Sequence, residues 1–187
     1  MQPFPQSVVR PRLQAGVSNL QIMISTLIGG ILIMGGLVMI GQIDKAKVDN
    51  EIRELTRIKK KTVALGAQRG SLAAVTQENL IQLDFFRPET LSGPVGARVI
   101  RHQWGGTMVA RPVTIFSAGD GILFGYQNLP GKACKALGMQ LGDVASAIWV
   151  EGLQVKFAGQ PTIDTATLIT ACDRWGGNVW MDLHILK

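Results

Sequence analysis

The chain has 187 residues, which is room for one domain of ordinary size and an additional element. Its formal net charge is +6, yet the only basic run is Lys59–Lys61, with no aromatic residues interleaved, so it lacks the pattern of a surface that stacks nucleic-acid bases. Two cysteines, Cys134 and Cys172, are too few and too widely spaced for a structural zinc site.

Residues 1–16 hold three prolines, Arg10 and Arg12, and no periodic pattern, and read as a leader. From Leu13 to Ile43 there is no charged side chain, and Ile22–Ile40 is mostly Ile, Leu, Met and Val. A helix needs about 20 apolar residues to cross the hydrocarbon core, so residues 17–43 predict a membrane-spanning helix, which Ser18 or Asn19 can cap. The apolar run is too long for a cleaved secretory signal, and "IGQIDKAK" offers no small-x-small site. Arg10 and Arg12 precede the span, which keeps the N-terminus cytoplasmic and sends everything after Asp44 outward.

Beyond the span, Ile43, Val48, Ile52, Leu55 and Ile58 recur at helical spacing with charged residues between them. The pattern predicts one helix from about Ser18 to about Leu65, stopped by Gly66. At ~1.5 Å per residue it is a rod on the order of 70 Å long. Its first half, 17–43, is apolar on every side. Its second half, 44–65, is amphipathic, so one face must pack on a domain, while the first half must pack in lipid or against copies of itself. The lysines of the basic run read as a solvated helix face.

Residues 66–187 form the remaining domain. "SLAAVTQENLIQL" predicts a short helix and "FRPETLSGPVG" a loop. Strand signals then dominate in "ARVIRHQW", "MVARPVTIF" and "ILFGYQ", separated by glycine-containing turns, and predict a small antiparallel sheet. A helix starts at Pro130 in "PGKACKALGMQLGDVASA". "IWVEG" and "LQVKFAG" are strand-like, "TIDTATLITACDR" is helical, and "GGNVWMDLHIL" closes the chain as a strand. The fold class is therefore α+β, a long N-terminal helix packed on a small antiparallel sheet domain. Both cysteines lie in the exported part, where two thiols most often pair. Two free buried thiols remain the alternative. A bridge would contribute roughly 4 kcal/mol by restricting the unfolded chain.

Catalytic chemistry is missing. His102 and His184 are the only histidines, and both fall in predicted strands, as surface or core residues rather than general bases. No zinc-protease helix, phosphate loop or nucleophile elbow is present. "AGDGILFG" is glycine-rich but opens onto a strand, so it reads as a hairpin turn and not a phosphate cradle. Asp84, Glu89 and Asp120 have no metal-cage spacing. No catalytic residue, metal or cofactor is expected.

A basic leader ending in Gly16, an apolar helix directly after it, an amphipathic continuation, a strand-rich domain and a late cysteine pair together resemble the type IV pilins, and among them the type IVb class. The resemblance covers nearly the whole chain. It implies cleavage by a prepilin peptidase between Gly16 and Val17, with Val17 as the new, often N-methylated, terminus. It implies a C-terminal disulfide region built from "NLPGKACKALGMQLGDVASAIWVEG" and "LITACDRWGGNVWMDLHI", with Cys134 bonded to Cys172. The fifth mature residue, usually glutamate in the family, is Gln21 here. That glutamate is understood to pair with a neighbour's N-terminal amine, whereas Gln21 can accept a hydrogen bond but neutralises nothing. Gly29, Gly30, Gly35 and Gly36 each cost about 1 kcal/mol of helix propensity and let helices approach closely in a filament core, although membrane helices carry more glycine in any case.

The resemblance implies a structural subunit that waits in the inner membrane, domain outward, and polymerises with copies of itself through the pilus assembly machinery. The extracellular pilus would serve adhesion, aggregation or conjugative contact. Three other readings share parts of the pattern: a minor, tip-located pilin, a pseudopilin, and a single-pass anchored extracytoplasmic binding protein. Neither an enzyme nor a nucleic-acid partner is expected.

Overall fold

The computed structural model describes residues 19–174 and 178–187, with side chains from residue 44 onward. Two compact units divide the chain, Met1–Gln42 and Ile43–Lys187, and the sheet, the disulfide and the core lie in the second. Helix α1 spans Asn19–Arg69. The leader 1–16, the processing pair Gly16 and Val17, and the side chains of Gln21, Gly29, Gly30, Gly35 and Gly36 lie outside the described residues, as do the other side chains of the membrane span expected at 17–43. Among the described residues no helix is long and apolar enough to cross a membrane.

The expected stop at Gly66 is displaced by one turn. The helix runs on to Arg69, and Gly70, at φ +71°, ends it with its N–H on the Gly66 carbonyl at 2.9 Å. That left-handed conformation suits glycine. Gly66 has a different task. A Cβ placed there would sit 2.3 Å from Lys187 Cβ, so the glycine lets the last residue of the chain lie against the helix. Lys187 is also fixed by its N–H to the Asp120 carbonyl at 2.9 Å.

After α1 come α2 (Gln77–Gln82), a 3-10 turn (Pro88–Thr90) and the strands β1 (Leu91–Ser92), β2 (Val99–Arg101), β3 (Thr107–Val113) and β4 (Gly121–Pro130). Helix α3 (Gly131–Gln140), strands β5 (Ala147–Val150) and β6 (Leu153–Lys156), helix α4 (Thr165–Asp173) and strand β7 (Asn178–Leu186) complete the chain. A reciprocal pair of hydrogen bonds between Thr76 and Asn79 starts α2. The two-residue β1 falls where a loop was expected, because a strand so short carries no alternation to read. "AGDGILFG" is the expected hairpin turn. Asp120 closes it, its carboxylate accepting N–H bonds from Ile115 at 2.8 Å and from Phe116 and Ser117 at 2.7 Å each.

All pairings in the seven-stranded sheet are antiparallel, in the order β1-β2-β3-β4-β7-β5-β6. The last strand therefore sits in the interior, between β4 and β5. Along β7 the inward residues Val179, Met181, Leu183 and Ile185 are buried, and Trp180, Asp182 and His184 alternate outward. The inner face joins Ile122, Phe124 and Tyr126 of β4 and Ile148 and Val150 of β5 to the core. From α1 the core receives Val48, Leu55, Ile58 and Leu65, and Phe86 meets Phe124 edge-on at 6.2 Å. Ile52, expected on the buried stripe, is only half-buried, and Glu51 takes the inward position instead.

Replacing Gly66 with leucine forces the C-terminal residue off the helix. The expected cost is about 1–3 kcal/mol. Each kcal/mol lowers the midpoint by roughly 2–4 °C in a chain of this size, a shift that thermal melting of the full chain in detergent measures.

Candidate assembly surface

The two cysteines meet. Pro130 precedes α3 and sets its start, and Asp164 caps α4 by accepting the Thr167 N–H at 3.0 Å. Each helix buries a short apolar face: Ala133, Cys134 and Leu137 on α3, and Leu168, Ala171 and Cys172 on α4. Cys134 and Cys172 form a disulfide with Cα atoms 5.8 Å apart. The alternative of two free buried thiols is thereby removed, since the described cysteines are all bonded. The bridge ties α3, which follows β4, to α4, which precedes β7. The exposed ion pair Lys135–Asp173, 2.8 Å long, spans the same two helices and adds little.

The second half of α1 carries polar groups inside its apolar stripe. Buried positions on this half of α1 include 48, 51, 54, 55, 58, 62 and 65, so Glu51, Glu54 and Thr62 share a face with Val48, Leu55, Ile58 and Leu65. Glu51 is 4% exposed and accepts the hydroxyl proton of the fully buried Tyr126 at 2.7 Å. Burial raises the Glu51 carboxyl above its ordinary value, against hydrogen bonds from Tyr126 and the Gln103 N–H. Burial, with the facing Glu51, likewise pushes the Tyr126 hydroxyl well up. One turn on, Glu54 is gripped by two guanidinium groups. Arg87 Nε lies 2.9 Å from Oε2, Arg57 Nε lies 3.1 Å from the same oxygen, and Arg57 also bonds Oε1. Arg57 reaches further, to the carbonyls of Asp84 at 3.1 Å and Phe85 at 2.6 Å. The segment after α2 is thus pinned to α1 by charge-assisted bonds.

The lysine run is only partly the solvated face expected. Lys60 is exposed, but its neighbours turn back onto the domain. Lys59 donates to the Asp143 carbonyl, and Lys61 to those of Asp84 and Leu83. Consecutive residues on a helix project about 100° apart, so the two flanking lysines straddle Lys60 and reach loops on either side.

His102 lies just past β2, in the turn to β3, rather than within a strand. Its Nε2 is 2.9 Å from the Gln127 carbonyl, and its Nδ1 accepts the Trp104 N–H at 3.3 Å. That arrangement needs a neutral ring with the proton on Nε2, and burial lowers its pKa accordingly. The imidazole is a clasp with both nitrogens occupied. Among the described residues no group of three or more His, Cys, Asp or Glu side chains could hold a metal ion. The arrangement is a helix bonded to a sheet, and a sheet stapled at its C-terminal end.

Sequence reasoning found the cysteine region but missed Glu51, Tyr126 and the grip on Glu54. A signal for Glu51 was present, since it lies three residues after Val48 and four before Leu55, where an apolar side chain is expected.

A long N-terminal helix with an amphipathic second half, an antiparallel sheet crossed by the last strand, and a disulfide linking the two C-terminal helices define the type IVb pilin architecture. The family described as PilS N terminal matches residues 45–181, and the chain belongs to it. Two solved structures share the fold. A type IVb pilin from Salmonella typhi superposes with a TM-score of 0.54 at 18% identity, covering 72% of this chain and 97% of that one. TcpA, a type IV pilin from Vibrio cholerae El Tor biotype, gives 0.52 at 12% identity, covering 74% and 98%. No curated protein matches the chain.

Two outcomes test the energetics. Cys134→Ser is expected to lower stability by about 2–5 kcal/mol, read by urea unfolding of the full chain in detergent with and without reductant; the reductant should affect the wild type alone. Glu51→Gln tests the buried carboxyl. A carboxyl raised on folding stabilises most below its unfolded value of 4.5 and loses that contribution as pH climbs through its folded value. The stability of wild type relative to Glu51→Gln should therefore fall as pH rises from 4.5 toward 7. Equal slopes in the two proteins would remove Glu51 as the titrating group.

Proposed function

We propose that the chain is made as a prepilin, held in the inner membrane by residues 17–43, cut after Gly16 and polymerised with copies of itself into a surface pilus. The observation that carries this reading is the family match over residues 45–181, joined to a helix that runs from Asn19 into that region without a break. The role is structural rather than enzymatic. Its partners are further copies of the chain, the prepilin peptidase and the assembly machinery, and its destination is the extracellular pilus after a period in the inner membrane.

The division of labour follows from the helix. Residues 17–43 are apolar on all sides, so outside lipid they need other apolar helices around them. Gly29, Gly30, Gly35 and Gly36 would let those helices come close. Gln21 would offer its amide oxygen to a neighbour's N-terminal amine in place of a carboxylate, with weaker selection of register. The side of α1 away from the core, with Asn50, Arg53, Lys60 and Val63 exposed, is available to neighbouring copies.

Intact-mass spectrometry of the protein from its host, with the prepilin peptidase present and then deleted, tests the proposal. A product beginning at Val17 only when the peptidase is present is the expected result. A chain retaining Met1 in both strains would overturn the filament reading in favour of an anchored binding domain.

A further inference from the structure

The outer face of the sheet, opposite the core, is neither an ordinary solvated surface nor a closed apolar one. At its centre, on β7 and β5, it displays two tryptophans. Trp180 is 44% exposed and Trp149 is partly exposed. Strand pairing sets Trp149 opposite Asp182, which makes Trp180 and His184 its two diagonal neighbours across the strands. Diagonal neighbours are roughly 7–8 Å apart, a span that one or two sugar rings can bridge.

The aromatic rings are held before any ligand arrives. Trp180 Nε1–H donates to Asp182 Oδ1 at 2.5 Å, and its backbone N–H donates to Glu151 Oε1 at 2.5 Å. Trp149 stacks on the His184 ring, with centroids 6.5 Å apart and planes 28° from parallel. Gly125, opposite Asp182 on β4, makes room for the arrangement. A Cβ on Gly125 would lie 2.7 Å from Asp182 Oδ1 and 3.1 Å from Trp180 Nε1. The glycine therefore lets the carboxylate lean across β4 and hold the indole in place.

Polar groups surround the rings. Asp182 Oδ2 has no hydrogen-bond partner among the described residues. Arg111 is exposed on the same face, in the cross-strand row Arg111–Leu123–His184. Leu123 and Ala147, flanking His184 in that row, are buried yet lie outside the core cluster. This outer layer is thus packed and not merely wetted.

Rigid indole planes offer an electron-rich face to the weakly positive C–H groups of a pyranose. The Asp182 carboxylate beside the Trp180 indole supplies an acceptor, and Arg111, farther along the same face, a donor of the kind hydroxyl groups require. A preorganised aromatic platform with a few placed polar groups is economical for a ligand both apolar on one face and hydroxylated at its edge. We propose that the Trp149–Trp180–Asp182 face binds a neutral saccharide, as the contact by which the protein recognises glycosylated surfaces. The inference goes beyond the filament reading and is tested on unassembled protein, so that each stands or falls alone.

The experiment is saturation-transfer-difference NMR on the full chain in a detergent without sugar groups. The probes are the methyl glycosides of glucose, galactose, mannose and N-acetylglucosamine and their β-linked disaccharides. At least one probe is expected to receive saturation, with its ring C–H protons strongest. Trp149→Ala and Trp180→Ala should each weaken binding by about tenfold or more, and Asp182→Asn, which keeps the shape and an acceptor for the indole, by a smaller factor. Phe116→Ala is the control, since Phe116 is 66% exposed in the β3–β4 hairpin, away from this face, and should bind as wild type. Wild-type melting temperatures in the variants separate lost binding from lost fold, and Asp182→Asn keeps the test decisive if a tryptophan variant melts early. No transfer to the wild type from any probe would overturn the proposal. Transfer undiminished in all three variants would do the same.

Discussion

Strand β7 is the constraint on which the rest of the domain depends. It follows β6 in sequence, yet it lies between β4 and β5 in the sheet. Without it, β1–β4 and the β5–β6 hairpin are two separate sheets with unpaired edges, and Met181, Leu183 and Ile185 are missing from the core. The pairing of β4 with β7 is the longest in the sheet, from Gly121↔Leu186 to Pro130↔Asn178, and one irregularity near Asn128 absorbs a change of register. Contacts between the final strand and elements made much earlier are the costly kind, because they close long loops before they return any packing.

The disulfide acts on that cost. Cys134 lies in the helix that leaves β4 and Cys172 in the helix that enters β7, so the bond holds together the two ends of the excursion that contains β5 and β6. A covalent tie there shortens the loop that β7 must close. The other end of β7 is held without covalent chemistry. Lys187 donates its N–H to the Asp120 carbonyl and rests against Gly66 of α1. The helix, the β3–β4 hairpin and the chain terminus thus share one corner.

The grip of α1 on the domain combines apolar burial with a small number of directed bonds. Val48, Leu55, Ile58 and Leu65 supply burial, which resists separation but sets the rotation of the helix only loosely. Glu51 on Tyr126 and Glu54 between Arg57 and Arg87 set it more narrowly, since a carboxylate that loses its partners in a buried site is penalised heavily. A subunit that must present one helix face to its own domain and another to its neighbours benefits from such a fixed rotation.

Element types were legible in the sequence wherever a period was long enough to read. The apolar run, the amphipathic stripe, the strands from Ile100 to Gln127 and the final strand all announce themselves through alternation or helical spacing, which local geometry imposes on any chain. The cysteine region was legible through its resemblance to a family. Other features were not. The end of α1 moved from Gly66 to Gly70 because two glycines lie four residues apart, and only the position of Lys187 tells which is needed for closeness and which for the turn. Lys59 and Lys61 looked solvated because their partners are carbonyls more than twenty residues away. By itself the sequence determined the composition of each face, apolar against polar, because that depends on residues a few positions apart. Only the tertiary structure decided the strand order, the rotation of α1 and the meeting of Trp149, Trp180 and Asp182, because these depend on which distant segments pair, and no local period records that.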